Sequence, residues 1–376
     1  MKQINQEKNG RILIIANSAW NLFNFRSELI KSLIEKGYEV IALAPPDKFV
    51  NKVTSLGCGY IPLPINRKGI NPISDLILLC RFFFEFQKIK PDFVLTFTIK
   101  PNIYGSMAAH MLGITVINNI SGLGSVFIKN GLLASLVKIL YKVALSKSQH
   151  IFFQNEDDRD LFCKYGLVNQ SNSTRLPGSG VDLEFFSPIK LPELGEKIKF
   201  LLIARILCDK GVREFVHAAR KLKKIKSNLE FCMLGPIDHE NPSAIPLWQI
   251  DDWVGEGVIN YLGEMEDVRS EIALAHCIVL PSYREGVPKS LLEAAAMMRP
   301  IIASDVPGCR DVVSHGLNGY LCKPKDYLDL ANMMLQIAQM SYEDLKNMGV
   351  ASRDKVVREF DINIVLNKYF LRLHQN

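Results

Sequence analysis

The sequence predicts an α/β protein built as two doubly wound domains in tandem, and three observations carry that prediction. First, at 376 residues the chain exceeds one ordinary domain, while two of roughly 150–200 residues could each bury a full core. Second, short β-branched runs alternate with helix-length amphipathic segments from end to end, the pattern of parallel strands covered by helices on both faces. Third, Gly, Pro and Ser concentrate in RLPGSGVDLEFFSPIKLPELGEK at 175–197, between one strand-helix unit and the next strand. The domains expected are therefore 1–180 and 190–358, followed by a helix over 359–376.

Taken in order, the strands of the first half are ILIIA (12–16), VIALA (40–44), FVLTF (93–97), TVINNI (115–120) and HIFFQ (150–154). Those of the second half are FLLIA (200–204), LEFCMLG (229–235), VINYLG (258–263), CIVLP (277–281) and PIIAS (300–304). Open α/β sheets bind ligands in the crevice beyond the carboxyl ends of their strands. Two such domains facing each other would enclose a cleft there, so the informative residues are those just after strands.

Composition narrows the classes. Hydrophobic content of 48% with 22% charged residues is ordinary for a globular chain, and no low-complexity tract or short repeat occurs. Disorder is expected only ahead of Arg11. The N-terminus MKQINQEKNG lacks the apolar core of a secretory signal. The longest stretch free of Lys, Arg, Asp and Glu, Pro101–Ile128, carries Asn, His, Ser and Gly and makes a poor membrane span. Eight cysteines without a CxxC pair, several inside apolar strands, read as free thiols in a reducing cytosol. The seven histidines show no HxxH or HExxH spacing, so no zinc site is expected. No P-loop, GxGxxG or nucleic-acid motif accompanies the basic residues, and no nucleic-acid partner is expected.

The net charge of +6 is unevenly placed. Residues 1–188 carry 21 Lys/Arg against 14 Asp/Glu, whereas residues 189–376 carry 24 against 25. Residues 67–149 alone hold 10 basic and 3 acidic side chains, so the surplus belongs to one region.

Two segments could carry chemistry. In SYREGVPKSLLEAAAMMRP, 282–300, Glu293 is the only charge between Lys289 and Arg299, within a Leu, Ala and Met run that reads as a buried helix. A carboxylate in an apolar interior is costly unless paired or fully hydrogen-bonded. Either Lys289 or Arg299 supplies the donors, or a ligand does. Pro288 is expected at the first helical position, where its missing N–H is no loss. The amides after it would then face an anionic or strongly accepting ligand. Glu285 in the loop and Glu293 in the helix could reach two ends of one polyhydroxylated ligand. In FLLIARILCDKGVREF, Arg205 ends a strand and Lys210-Gly211 opens the next helix. A fixed guanidinium and a flexible ammonium could clamp a diphosphate without a metal, although charged residues are commonplace in such loops.

Arg205 with Lys210-Gly211, then EGVPKSLLEAAAMMRPIIASDVPGCRDVV at 285–313, resembles the donor-binding half of glycosyltransferase family 4, retaining enzymes of the GT-B fold. PGSGVDLEFFSP at 177–188 resembles the hinge stretch of that family, and the likeness extends over nearly the whole chain. It implies two Rossmann-like domains facing across a cleft, an N-terminal one for the acceptor and a C-terminal one for a nucleotide-sugar, with the last helix crossing back to the first. It implies further that Arg205 and Lys210 hold the donor diphosphate, that Glu285 contacts sugar hydroxyls and that Glu293 accepts from the ribose diol. Gly286, Val287, Pro288 and Lys289 would surround sugar and phosphate, Pro288 contributing only shape. The family needs no divalent metal or other cofactor. Catalysis by Glu285, Arg205 and Lys210 would be mainly electrostatic stabilisation of the leaving diphosphate.

The first half departs from the family pattern. Many members have a glycine pair in the first strand-to-helix turn, where this chain has ANSAWNLFNFR with Asn17 and Ser18. Many place a histidine after the strand matching FVLTF, where TFTIKPNIYG brings Ile99 and Lys100, so no catalytic histidine is assigned. Lys100 is a candidate contact to acceptor or phosphate, and Gly122 and Gly124 in ISGLGSVF could shape the acceptor entrance. Asp158 and Asp160 in QNEDDRDLF are better read as capping and dipole compensation after Asn155 than as a metal-binding DxD.

The family includes enzymes that extend lipid-linked sugars at the cytoplasmic face of bacterial membranes. The resemblance thus implies transfer of a hexose or N-acetylhexosamine from a nucleotide diphosphate-sugar, UDP before GDP, to a lipid-linked (polyprenyl diphosphate) acceptor. LILLCRFFFEFQKIK (76–90) and GLLASLVKILYKVALSK (131–147), apolar with lysines toward one side, suit either an anionic membrane surface or core-facing helices. The expected location is cytoplasmic, either free or peripheral on the inner face of the cell membrane. Two other readings stay open: a nucleotide-sugar epimerase of the same architecture, and a non-catalytic sugar-nucleotide-binding subunit.

Overall fold

The computed structural model describes residues 9–66, 71–122, 131–195, 197–238 and 241–374. The expected disordered tail falls largely on residues outside this set, and so does Gly124. The chain divides into two compact units, Met1–Ser179 with Val365–Asn376, and Gly180–Ile364. Val181 and Phe186, from the Gly-Pro-Ser-rich stretch, are packed in the core of the second unit. Most of the last helix, Ile362–Leu373, belongs to the first.

In the first unit β1 (Arg11–Ile15), β2 (Glu39–Ala44), β3 (Gly59–Pro62), β4 (Phe93–Phe97), β5 (Thr115–Ile120), β6 (His150–Phe153) and β7 (Ser173–Arg175) form one sheet, ordered β3-β2-β1-β4-β5-β6-β7. All its pairings are parallel. In the second unit β8 (Ile198–Ile203), β9 (Leu229–Leu234), β10 (Asn260–Tyr261), β11 (Cys277–Leu280), β12 (Ile301–Ser304) and β13 (Gly319–Cys322) are ordered β10-β9-β8-β11-β12-β13, also parallel. In each sheet the order reverses once, between β1 and β4 and between β8 and β11. Connections leave those neighbouring strands toward opposite faces, which opens the crevice where such sheets take ligands.

The continuous apolar runs have a direct cause. Along β8, Phe200 and Leu202 enter one core cluster while Leu201 and Ile203 enter another, so successive side chains feed both sides of a sheet buried on both faces. Three strands were not expected from the sequence: β3, β7 and β13. Each lies at or beside a sheet edge, and GYIP, STR and GYLC are only partly buried, so none needs an apolar run. VINYLG, at the other edge, pairs over two residues only.

Candidate active site

The second unit assembles its post-strand loops through glycines. Beyond β9, Gly235 has φ +147, and a Cβ there would lie 1.9 Å from the Ala204 carbonyl oxygen, so only glycine lets this turn close on the residue before Arg205. Arg205 is exposed, and its Nη1 donates to Oδ2 of Asp238 at 3.2 Å. A short 3-10 turn, Cys208–Lys210, leads to Gly211 at φ 73 and the helix Val212–Lys223. A Cβ on Gly211 would stand 2.0 Å from the Pro281 carbonyl oxygen, which is how the β8 and β11 loops come to touch.

Hydrogen bonds then fix the two loops together. The Ser282 hydroxyl and the Tyr283 amide both donate to the Asp209 carbonyl, at 3.1 and 2.9 Å, and the Tyr283 phenol donates to Glu214 at 2.7 Å. The result brings the Lys210 ammonium 2.5 Å from Oε1 of Glu285, with 18% and 12% of the two side chains exposed. The partner of Glu285 is thus Lys210, from a distant loop. Behind Glu285, a Cβ on Gly308 would lie 1.7 Å from the Gly286 carbonyl oxygen, so the 285–287 loop rests on bare backbone.

The helix after this loop spans Lys289–Ala296. Pro288 precedes it as the capping residue, with ψ 117, and its carbonyl accepts from the Leu291 and Leu292 amides. The expectation of Pro288 at the first helical position is therefore corrected by one residue, because its extended ψ cannot belong to a helical turn. Glu293 is buried, and Lys289 one turn earlier lies 3.3 Å from its Oε1. Arg299 is not its partner: that guanidinium donates to the carbonyls of Ile272, Ala273, Ile189, Lys190, Met297 and Met298. The Lys289 contact does not offset burial. A helical i,i+4 pair is worth about 0.3–0.5 kcal/mol, whereas desolvating a carboxylate costs several. Burial accordingly raises the Glu293 pKa above the ordinary carboxylate value, with Lys289 opposing and Asp267 adding to the rise.

In the first unit the candidates are less open. The Ser18 hydroxyl accepts from the Asn21 amide at 3.1 Å and caps the helix Ala19–Glu35, which explains its burial. Asn17, beside it, is half-buried. Lys100 is held by Asp75 at 2.6 Å, and the Tyr104 phenol donates to the other oxygen of the same carboxylate at 2.9 Å. Gly122 adopts φ 144 after β5. Asn155 accepts from the Asp158 amide at 2.8 Å, the capping arrangement read from QNEDDRDLF. Among the described residues no group of three His, Cys, Asp or Glu side chains is placed to hold a metal ion.

Residues 197–340 match the family described as Glycosyl transferases group 1, and residues 11–155 match the one described as Glycosyl transferase 4-like. A relative from Campylobacter jejuni, N,N'-diacetylbacillosaminyl-diphospho-undecaprenol alpha-1,3-N-acetylgalactosaminyltransferase, is 30% identical over 96% of this chain and 97% of its own. The chain belongs to this glycosyltransferase family. A second relative of the glycosyltransferase, the UDP-Gal:alpha-D-GlcNAc-diphosphoundecaprenol alpha-1,3-galactosyltransferase of Escherichia coli, is 26% identical over 80% of this chain and 79% of its own. Sucrose-phosphate synthase from Thermosynechococcus elongatus shares the fold, with a TM-score of 0.81 at 18% identity, over 97% of this chain and 98% of the other. The glycosyltransferase thus has the GT-B fold.

The structure adds one residue to the second unit's set. Asp238, which holds Arg205 in place, gave no signal of its own in the sequence, although it lies beyond the strand LEFCMLG, through a Gly-Pro turn, where ligand-binding residues are expected. In the glycosyltransferase the Lys210–Glu285 and Arg205–Asp238 pairs stand beyond the carboxyl ends of β8, β9 and β11, on both sides of the strand-order reversal.

Proposed function

We propose that this glycosyltransferase moves a hexose or N-acetylhexosamine from a UDP-sugar to a sugar carried on a polyprenyl diphosphate, with retention and without a metal. The observation that carries the reading is the pairing of each basic side chain with a carboxylate: Lys210 with Glu285 and Arg205 with Asp238. A diphosphate is a stronger acceptor for these donors than a carboxylate. On its arrival Lys210 would turn to phosphate and release Glu285 toward the sugar hydroxyls, while Arg205 would leave Asp238. Glu293, buried with one lysine, would accept from the ribose diol. Charge building on the leaving diphosphate would meet two cations already in place, the form of electrostatic catalysis that requires little reorganisation. Both relatives above are named for undecaprenyl-linked acceptors, and one for a UDP-sugar, which supports the substrate classes.

The reading includes contact with an anionic membrane surface. In the first unit the helices Pro72–Ile89 and Leu132–Leu145 both pack on the segment Pro101–Met111. Right-handed crossovers put all three on one face of the sheet. That face exposes Ile73, Leu76, Ile77, Phe84, Met111, Leu136, Ile139 and Val143, whereas the helix Ala19–Glu35 on the other face exposes no large apolar side chain. Apolar groups among Arg81, Lys88, Lys138 and Lys142 fit an interfacial surface. No described helix is long and apolar enough to cross a membrane.

The test is incubation of the full chain with a panel of nucleotide-sugars and a polyprenyl-diphosphate-linked sugar, with and without EDTA, monitoring released nucleotide and extended lipid by mass spectrometry. Chelator-resistant transfer of the sugar with its anomeric configuration kept is the expected result. Turnover of donor without acceptor would favour an epimerase, and nucleotide binding without turnover a silent subunit; either overturns the proposal.

A further inference from the structure

The helix Ala19–Glu35 turns Ala19, Leu22, Leu29, Ile30 and Leu33 toward the sheet, and in the middle of that stripe stands Arg26, 3% exposed. Its guanidinium carbon lies 4.0 Å from the centre of the Phe97 ring. Among the described residues it makes no hydrogen bond and no ion pair, and its Nε is buried without a partner. The Tyr369 phenol acts on it electrostatically, and is itself engaged by the Asn119 amide at 2.9 Å. Burial without a counter-charge holds the Arg26 pKa below the ordinary arginine value, though the group stays a cation.

The contrast with Arg299 is informative. Arg299 is as deeply buried, yet carbonyl oxygens meet its guanidinium on every side. A guanidinium kept for packing alone is satisfied in this way, since an unpaired buried charge is strongly destabilising. Arg26 has five N–H donors and a ring face. Its position is specific too: Phe97 is the last residue of β4, beside the reversal of strand order, where open sheets take ligands. The next residue, Thr98, sits at φ 69 with its hydroxyl buried and unpartnered. A β-branched side chain in the left-handed region is strained, and such strain gathers at ligand sites. Two polar side chains without partners thus adjoin Phe97, one over its ring and one next in the chain.

We infer that Arg26 and Thr98 form an oxyanion site for the diphosphate of the acceptor, the guanidinium and the threonine hydroxyl both donating to phosphate oxygens at the carboxyl end of β4. The inference rests on the proposed function, in which donor and acceptor both carry a diphosphate. The donor's cations, Arg205 and Lys210, lie in the second unit, so the site in the first falls to the acceptor.

The test compares Arg26→Met and Arg26→Lys with the wild type, using the full chain, a UDP-sugar and a polyprenyl-diphosphate-linked sugar. Methionine removes the charge and keeps the apolar volume, so Arg26→Met should melt no lower than wild type while its KM for the acceptor rises at least 30-fold and its KM for the donor stays within twofold. Arg26→Lys should recover part of the acceptor KM. A second measurement needs no turnover: in a Lys210→Ala background, inorganic pyrophosphate at matched ionic strength should raise the Tm, and adding Arg26→Met should abolish that rise. An acceptor KM within twofold of wild type, a loss confined to the donor, or failure of both Arg26 variants to fold would overturn the assignment. Wild-type inactivity toward the lipid acceptor would defeat the proposed function instead, and the pyrophosphate measurement would still judge Arg26.

Discussion

The ammonium of Lys210 is 2.5 Å from Oε1 of Glu285, a pairing between residues 75 positions apart that closes the β8 loop onto the β11 loop. Both side chains are mostly shielded from water, so each depends on the other for its counter-charge. Removing one partner of a sealed ion pair typically costs about 3–5 kcal/mol because the other charge is left buried. With the exposure that remains here, about 2 kcal/mol is expected for Lys210→Ala, seen as a lower Tm. The double variant Lys210→Ala/Glu285→Gln should recover most of that Tm, since no charge is then stranded. Activity should not return: transfer should stay at least 100-fold below wild type, which separates the stabilising role of the pair from its proposed role toward the donor.

Glu293 should link pH, stability and nucleotide binding with a definite sign. Its pKa in the folded chain is raised by burial, so between the ordinary carboxylate value and the raised one the folded state holds more protons than the unfolded. Stability contributed by the protonated group is therefore present below that window and is lost as pH rises through it. Glu293→Gln, which cannot ionise, should melt about 1–3 °C above wild type at pH 7.5, a shift typical of a sub-kcal to 1 kcal/mol gain in a chain of this size. Scanning calorimetry toward pH 4 should show the difference shrinking. The same variant should bind UDP about tenfold more weakly by titration calorimetry, on the general magnitude of a lost charge-assisted hydrogen bond. Higher stability with undiminished UDP binding would remove the ribose role and leave a buried acid paired with Lys289.

Two glycines separate close approach from backbone strain. Gly308 and Gly316 both have positive φ, 79 and 81, but a Cβ on Gly308 meets the Gly286 carbonyl oxygen at 1.7 Å while one on Gly316 meets nothing within 4 Å. Gly316→Ala should cost about 1 kcal/mol, the strain of a left-handed alanine. Gly308→Ala must also displace the 285–287 loop, so about 2–4 kcal/mol is expected, with kcat/KM about 100-fold down if that loop positions the sugar. Paired melting curves and donor kinetics decide this, and equal effects of the two substitutions would deny the loop its supporting contact.

The parts of this chain that could be read in advance are those whose signal is local. Ten strands declare themselves as apolar runs because a strand buried on both faces needs apolar residues at every position, and Arg205, Lys210, Glu285 and Glu293 all lie in the segments directly after two of those runs. The edge strand GYIP, exposed at both ends, carries no such demand and reads like a loop. Partnerships are harder still. Nothing near Lys100 announces Asp75 as its counter-charge, and nothing near Arg205 announces Asp238, because those pairings are made by sheet order rather than by spacing. Glu293 shows both sides: its isolation in SLLEAAAMM marks a buried carboxylate correctly, yet Lys289, one helical turn away, reaches it after all.

The apolar face of the first unit yields the last prediction. Leu136, Ile139 and Val143 project from the helix Leu132–Leu145 and are about half exposed, so replacing all three by serine removes little packing. Surface substitutions of this kind usually change stability by less than about 0.5 kcal/mol each. If the face rests on lipid, the same change forfeits burial worth about 1.5–3 kcal/mol for each fully inserted side chain, and basic residues nearby add about 1 kcal/mol each on an anionic surface. The wild type should therefore float with phosphatidylglycerol vesicles and poorly with phosphatidylcholine, and raising the salt should weaken the interaction. The triple serine variant should keep its Tm within about 2 °C, on the same surface-substitution scale, and lose at least tenfold in vesicle affinity. Its kcat with a water-soluble, short-chain acceptor should be unchanged, because only delivery to the membrane has been altered. Equal flotation of variant and wild type, or equal binding to neutral and anionic vesicles, would assign these side chains to some other use.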